Sequence, residues 1–181
     1  MSAPASTSGL TTYTLDPAYT TVEFSGKHMM FATVKGQFRK VDGTIQLDAA
    51  DLSRSSVDVT IDAGSLESGQ EMRDGHLKSA DFLHVEEHPT LTFKSTSVEA
   101  RGDDLKVTGD LTIHGVTKSV VLDAEFNGTG KNPWGKQVIS YSASTKVNRK
   151  DFGLNWNAAL EAGGMLVSDD VKISIEIEAI S

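Results

Sequence analysis

Apolar and polar residues alternate along most of this chain, which is the pattern of β-strands with one buried face. The clearest run covers residues 104–114, and its apolar face consists of Leu105, Val107, Gly109, Leu111 and Ile113. Similar alternation is present in residues 57–62, 120–126 and 171–177. Because the opposite face of each run is polar, the pattern predicts antiparallel strands with one side in water.

Turn-forming residues divide these runs into about eight predicted strands. A long Gly, Asn and Pro turn with Trp134 is expected at 127–135, and residues 153–168 lack a period and are expected to form a mobile loop near one barrel end. The regular spacing predicts a sandwich or an up-and-down barrel. The strands are predicted at 11–15 together with 21–30, 33–48, 54–64, 90–99, 104–114, 117–127, 136–148 and 170–180.

Residues 70–79 break the two-residue period. Met72, His76 and the pair Leu77 and Ala80 recur at intervals of three to four residues, which predicts a short helix. A helix inserted into an all-β chain is expected to close one end of a barrel or to form the mouth of its cavity.

The length of 181 residues suits a single β domain. We expect a flexible tail at 1–10, rich in Ser, Ala, Pro and Thr, followed by one barrel domain at 11–181. The start lacks the basic and apolar regions of a signal peptide, and no apolar run approaches the roughly 20 residues that span a bilayer. We therefore expect a cytoplasmic protein without a transmembrane segment, and an exported form trimmed of its leader is also compatible with the sequence.

Charge and composition exclude some partners and chemistries. The chain has 17 Lys and Arg against 25 Asp and Glu, a formal net charge of −8, which makes nucleic acid a poor partner. It contains no Cys, which removes disulfides, thiolate nucleophiles and Cys-bound metals. The oligomeric state is left open, and a homodimer is compatible with the sequence.

The histidines are the main candidates for chemistry. Residues 84–88 match the H-x-x-E-H pattern of one class of zinc peptidase, but Pro89 disfavours a helix there, so we favour an exposed link. An ordinary structural role is the default interpretation of His28 and His76, and donation of a hydrogen bond to a polar lipid head group is the alternative. Arg73 could face a pyrophosphate or quinone oxygen, or pin the helix to the barrel. Without a G-x-S-x-G motif or a Gly-rich phosphate loop, we predict no catalytic residues, no metal and no required cofactor.

Four segments of the chain, in order, resemble the YceI-like family of polyisoprenoid-binding, lipocalin-like proteins. They are LDPAYTTVEFSGKHMMFATVKGQF at 15–38, RDGHLKSADFLHVEEHPTLTF at 73–93, GDLTIHGVTKSVVL at 109–122 and RKDFGL at 149–154. The resemblance runs from about Tyr13 to Ile180. It implies an all-β, elongated, eight-stranded antiparallel barrel whose tunnel holds a long isoprenoid or similar lipid.

On this basis we expect the protein to bind, sequester or transport a long-chain apolar lipid, such as an isoprenoid quinone or a polyprenyl phosphate. One alternative is an enzyme acting on an isoprenoid or fatty-amide lipid, with His28 or His76 as the acid–base. Another is a ligand-free interaction barrel, which predicts a filled interior. An apolar tunnel with few polar groups would favour binding over catalysis.

The predicted ligand-binding residues lie on the apolar strand faces, on the helix and on the neighbouring segments. Gly36, Gly109 and Ala124 are small residues on these faces and are expected to leave room for a ligand, unless they only relieve crowding where strands bend. The full predicted set is Phe24, His28, Met30, Phe31, Val34, Gly36, Phe38, Val59, Ile61, Met72, His76, Leu77, Phe82, Leu91, Phe93, Val107, Gly109, Leu111, Ile113, Leu122, Ala124 and Phe152.

Overall fold

The computed structural model describes residues 9–158, 160 and 165–181, which form a closed antiparallel β-barrel with a short helix at one end. Most of the predicted tail and part of the predicted loop at 153–168 lie outside the described residues. The strands are β1 Leu10–Leu15, β2 Thr21–His28, β3 Ala32–Phe38, β4 Val41–Asp48, β5 Ser56–Asp62, β6 Leu66–Glu67, β7 Thr90–Arg101, β8 Asp104–Ile113, β9 Val116–Lys131, β10 Gln137–Asn148 and β11 Asp170–Ile180.

The eleven segments make a barrel of eight strands because three strands are interrupted. The order around the sheet is β1-β4-β5-β7-β8-β9-β10-β11-β2-β3-β6, and β1 also pairs with β11. Thr14 of β1 pairs with Ile180 of β11, and Ser25 of β2 pairs with Lys172 of the same strand. Segments β1 and β2 therefore act as one broken strand, as do β3 and β4. Because β5 pairs with β4 and β6 pairs with β3, β5 and β6 form the third broken strand. The predicted eight-stranded antiparallel barrel is confirmed.

Two predicted boundaries are wrong. Residues 33–48 are not one continuous strand, because a break at Arg39 and Lys40 separates β3, which pairs with β2, from β4, which pairs with β1 and β5. The predicted long turn at 127–135 is mostly strand, since β9 continues to Lys131, which pairs with Gln137. Backbone hydrogen bonds hold these Gly- and Asn-rich residues in the ladder although their side chains do not alternate.

The helix α1 spans Glu71–Lys78, within one residue of the predicted bounds at each end. The Asp74 carboxylate accepts the backbone N–H of Ser68 at 2.8 Å. The Arg73 Nε donates to the Ser68 hydroxyl and its Nη2 to the Ser68 carbonyl, both at 2.8 Å. Arg73 and Asp74 thus pin the helix to the segment before it. No helix in the described part of the chain is long and apolar enough to cross a membrane.

The two openings of the barrel differ in the elements that surround them. The helix end carries α1, the turn Met29–Phe31 between β2 and β3, and the turn at His114-Gly115. The far end carries the β9–β10 turn with Trp134 and the corner that follows Asp48. The apolar faces of the strands meet in the interior between these two ends.

Candidate functional site: an apolar cavity with a cationic mouth

The interior of the barrel is hollow. A cavity of about 1060 Å³ runs between the strands, and its wall is almost entirely apolar. Known small-molecule sites have volumes of about 300–1,000 Å³, so this cavity is at the large end of that range. The volume contradicts the alternative of a ligand-free barrel with a filled interior.

Seventeen of the twenty-two predicted binding residues line this cavity. They are Phe24, His28, Val34, Phe38, Val59, Ile61, Met72, His76, Leu77, Phe82, Leu91, Phe93, Val107, Leu111, Ile113, Leu122 and Ala124. Their placement follows from the strand period, because alternate side chains of a closed barrel face its interior. Whether they contact a ligand remains a prediction.

Gly36 and Gly109 do not enlarge the cavity as the sequence suggested. A Cβ atom at Gly36 would lie 2.3 Å from the Cζ of Phe24, and one at Gly109 would lie 2.5 Å from the Cζ of Phe93. Each glycine therefore seats an aromatic ring from the neighbouring strand, an arrangement known to stabilise glycine in sheets. The two rings, and not empty space, occupy the positions above the glycines.

Met30, Phe31 and Phe152 also lie off the cavity wall. Met30 and Phe31 are exposed on the turn beyond the end of β2, where the inward–outward alternation has stopped. Phe152 is buried in a 3₁₀ turn, Arg149–Phe152, and packs in the core without reaching the cavity. The strand period does not apply in these two turns, so it gave no basis for an inward placement.

The cavity also has walls outside the predicted set. The inward residues of β11, a strand whose alternation is visible in the sequence, line the cavity. Four residues of β10 also line it: Tyr141, Ala143, Thr145 and Val147. At the helix end, Arg149, Leu154 and Trp156 complete the wall. Arg149 is two residues beyond Val147, so extending the β10 period by one step would have placed it inward.

All charged and imidazole side chains on the cavity wall lie at the helix end. They are Lys27, His28, Arg73, His76 and Arg149, and none of the described lining residues is a carboxylate. The wall itself therefore carries only positive charges at the mouth among its described residues, although the chain carries a net charge of −8. A low-dielectric wall around such a mouth strengthens its attraction for anionic or strongly accepting groups.

Arg149 is the most buried of these five side chains, with 3% of its surface exposed. Its Nε donates to the Ser168 carbonyl at 2.9 Å, and its Nη1 donates to the carbonyls of Leu154 and, at 2.9 Å, Trp156. Burial lowers the pKa of the guanidinium, and the negative charge of Asp169 opposes that shift. Arginine starts from a pKa so high that the group remains cationic. Arg149 thus joins the segments on both sides of the mouth and brings a positive charge to the wall.

His76 of α1 lies at the same mouth among two aromatic rings. Its Nε2 is 3.0 Å from a carboxylate oxygen of Asp81. The ring packs edge-on against Phe82 at 5.0 Å and against Trp156 at 4.6 Å between centroids. Because Trp156 also accepts from Arg149, the helix and Arg149 are connected through one cluster, which can orient a polar group at the mouth.

The H-x-x-E-H segment does not form a helix. His84 has a positive φ of 51° within a run of turns, and its ring lies 6.1 Å from that of His88 between centroids. His88 packs instead against His114 at 4.8 Å. Within residues 9–158, 160 and 165–181, no group of three or more His, Asp or Glu side chains has an arrangement that could hold a metal ion. The segment is a link between α1 and β7.

Comparison with known proteins places the chain among relatives of the same length and fold. The profile of the YceI-like domain matches residues 13–179. A UPF0312 protein of Staphylococcus aureus is 40% identical over 170 residues, which cover 93% of this chain and 97% of that protein.

Two solved structures are similar to this barrel. The YceI protein of Campylobacter jejuni is 35% identical, with a TM-score of 0.74 over 86% of this chain and 89% of that one. A polyisoprenoid binding domain from Saccharophagus degradans has a TM-score of 0.66 over 93% of this chain and 98% of that one. The latter is 16% identical and therefore shows a common fold alone.

Proposed function

The chain belongs to the YceI-like family, and from that premise we propose that it binds a long-chain polyisoprenoid lipid in its barrel cavity and sequesters or carries it. The observation that carries the proposal is a cavity of about 1060 Å³ that is apolar along its length and cationic at one end. A long hydrocarbon chain with one polar head group has the same distribution of polarity.

The apolar wall provides the affinity. Each buried CH₂ group contributes about 0.8 kcal/mol, so four isoprene units give on the order of 12–16 kcal/mol before costs. Association and ordering cost roughly 4–15 kcal/mol, which leaves an ordinary binding affinity. Because such a wall does not distinguish between chains of equal length, chain length and the head group must provide the selectivity.

The cationic mouth favours a head group with anionic or accepting oxygens. Arg149 and Arg73 can donate charge-assisted hydrogen bonds to a phosphate, and His76 can donate to a quinone carbonyl. A polyprenyl phosphate fits this mouth best, and an isoprenoid quinone is the second member of the same ligand class. The polyisoprenoid binding domain of Saccharophagus degradans has this fold, which is compatible with the proposal.

Native mass spectrometry of protein purified from its own host, followed by lipid extraction, tests the proposal. We expect a mass increment that matches an intact long-chain isoprenoid at a ratio of one per chain. Recovery of a chemically altered lipid after incubation would instead favour an enzyme with His28 or His76 as acid–base. A protein that stays free of lipid, and also fails to bind a fluorescent polyprenyl phosphate, would refute the proposal.

A further inference from the structure

The turn between β2 and β3 presents three consecutive apolar side chains to solvent at the helix end. Met29 is 45% exposed, Met30 60% and Phe31 86%. Met72 on α1, also at the mouth, is 86% exposed. We call Met29, Met30 and Phe31 the apolar tip. Large apolar residues exposed side by side commonly mark a surface that contacts a partner or a membrane.

The backbone of the apolar tip is unfavourable for the residues that occupy it. Phe31 donates its N–H to the His28 carbonyl at 3.2 Å, and both central residues have positive φ, 53° at Met29 and 68° at Met30. An Asn-Gly pair is the favoured sequence for two such positions. Strained residues of this kind are concentrated at functional sites, so the two methionines are candidates for a contact with a partner surface.

The apolar tip is attached directly to the mouth of the cavity. Lys27, His28, Ala32 and Thr33, on both arms of the hairpin, line the cavity. The Met29 N–H donates to the carbonyl of Leu166, another lining residue, at 2.8 Å. Any surface that contacts the tip therefore lies next to the opening through which a lipid would pass.

Two lysines lie on the outer face of the barrel behind the tip, and a third lies at the mouth. Ser25 pairs with Lys35 of β3 on one side and with Lys172 of β11 on the other, while Lys27, two residues further along β2, lines the cavity. Among the described residues, none of these three lysines has a carboxylate within 4.0 Å. An apolar tip in front of a band of lysines matches the layers of an anionic bilayer, which has acyl chains beneath negatively charged head groups.

We propose that the apolar tip inserts into the surface of an anionic lipid bilayer and docks the helix end of the barrel on it, so that the ligand passes between membrane and cavity without crossing water. This inference rests on the proposed function, because it gives the cavity its lipid source. The three side chains of one turn form too small a patch for a stable protein interface, which needs roughly 800 Å² from each partner. They are sufficient for shallow insertion supported by lysines.

Vesicle flotation tests the proposal with two kinds of vesicle. One contains phosphatidylglycerol and phosphatidylcholine, and the other contains phosphatidylcholine alone. Two variants remove the apolar tip: Met30→Ser with Phe31→Ser, and Met29→Asn with Met30→Gly, which suits the turn and should fold at least as well as the parent. The matched control is Trp134→Ser, because Trp134 is 81% exposed on the turn at the far end. We expect at least a tenfold loss of partitioning for both tip variants and less than a twofold change for the control.

The lysines are tested separately with Lys35→Gln and Lys172→Gln, which lie outside the cavity wall. Their combined loss should weaken partitioning onto anionic vesicles at least tenfold, and added salt should have a similar effect on the parent. Equal binding of parent and tip variants, or an equal loss in Trp134→Ser, would overturn the proposal. A tip variant that changes the native mass from dimer to monomer with unchanged vesicle binding would identify a contact between copies and would also overturn it.

The docking and the lipid binding can fail independently. Ala143→Phe narrows the cavity far from the tip and should leave vesicle partitioning unchanged while long-chain binding is lost. A parent that floats with vesicles but takes up no polyprenyl phosphate would refute the proposed function alone. A parent that takes up the lipid from detergent but does not float would refute the docking alone.

Discussion

Among the described residues, each end of the barrel contains one buried charged residue, Asp48 at the far end and Arg149 at the helix end, with 2% and 3% of their surfaces exposed. Both are bonded to backbone groups, but they differ in what else they face. Asp48 is not part of the cavity wall, whereas Arg149 is. One buried charge therefore serves the fold, while the other serves the fold and also faces the cavity.

Asp48 has partners that neutralise it within its own corner. Its Oδ1 accepts the backbone N–H groups of Ala50 and Asp51, both at 3.0 Å. The Arg54 Nε lies 3.6 Å from its Oδ2. A buried carboxylate with two N–H donors and a cation nearby is well compensated, so it fixes the turn after β4 without requiring a ligand.

Arg149 bonds to neutral carbonyls, and the nearby negative charge of Asp169 partly compensates its positive charge. A buried charge can serve a binding site only when it also reaches a cavity, as Arg149 does and Asp48 does not. On this account the head group of the lipid lies at the helix end and its tail extends towards the far end.

The largest effect is expected from blocking the path between the two ends. Ala143 lies midway along β10, pairs with Ala124 and Ile175, and lines the cavity. Ala143→Phe should weaken binding of a long polyprenyl probe by at least about 4 kcal/mol, the value of roughly five buried CH₂ groups. A short probe that occupies only the helix end should bind nearly as before. Fluorescence titration with both probes measures the difference.

The neighbouring residue Ser144 provides the control for that block, because it lies outside the cavity wall. Ser144→Phe should leave both probes bound. Gly109 is a poorer position for a block, since a side chain there would collide with the Lys94 carbonyl at 2.5 Å. Unchanged long-probe binding in Ala143→Phe would show that the lipid does not pass the middle of the barrel.

Removing the two buried charges should have different consequences. Arg149→Met leaves three backbone carbonyls without donors and should reduce the free energy of unfolding by about 3 kcal/mol or more, at roughly 1–3 kcal/mol for each group. Asp48→Ala should destabilise by about 2–3 kcal/mol for the same reason. Urea denaturation measures both losses.

The head-group preference of the folded protein should also differ between the two variants. Arg149→Met should lose its preference for a polyprenyl phosphate over the alcohol of equal length, while Asp48→Ala should keep it. If Asp48→Ala lost the preference equally, the two ends would not differ in the way proposed.

A smaller effect is expected at His76. Replacing His76 with Ala should change head-group preference by about 1–3 kcal/mol at most, the value of one buried hydrogen bond. Phe82 and Trp156 would remain to pack the mouth. Competition between a quinone and a phosphate of equal chain length measures the change, and equal losses for an apolar chain without a head group would point to packing instead.

Substitution of the two methionines in the apolar tip should raise the stability of the protein. Met29→Asn with Met30→Gly should raise the free energy of unfolding by about 1–2 kcal/mol, because a left-handed backbone is unfavourable for methionine. Thermal unfolding measures the shift. A loss of stability would show that the two methionine side chains pack in the folded state more than their exposure indicates.

The smallest effect is expected from His84 and His88 in the link before β7. Substituting both with Ala should leave metal content and lipid binding unchanged and should alter the free energy of unfolding by no more than about 0.5 kcal/mol. Elemental analysis and denaturation check this. Stoichiometric zinc that disappears with the substitution would contradict it.

Much of the barrel was predictable, because the two-residue alternation of strands such as β8 and β11 reports burial directly. The helix was also predictable from its period of three to four residues, although none of its residues is buried and Met72 is 86% exposed. The break between β3 and β4 was not, since the alternation records which way a side chain faces and not which strand it pairs with. The extension of β9 to Lys131 depends on backbone hydrogen bonds, and its Gly and Thr side chains do not indicate where these bonds form.

The site was predictable where it consists of strand faces and not where it consists of turns. Gly109 was expected to mark a void, but Phe93 on the adjacent strand covers it, and a sequence does not show cross-strand neighbours. Phe31 was expected in the cavity, but it lies on the turn outside it. Arg149 and Trp156 were missed because they follow the last periodic residue of β10.

The central claim is that the cavity holds the lipid with its head group at the helix end. A crystal structure of the protein loaded with a polyprenyl phosphate tests it most directly. We expect the phosphate to lie within hydrogen-bonding distance of Arg149 or His76, and the chain to pass Ala143 towards the far end. A phosphate beside Ser55 and Ser56 at the far end, or a chain bound outside the barrel, would contradict it.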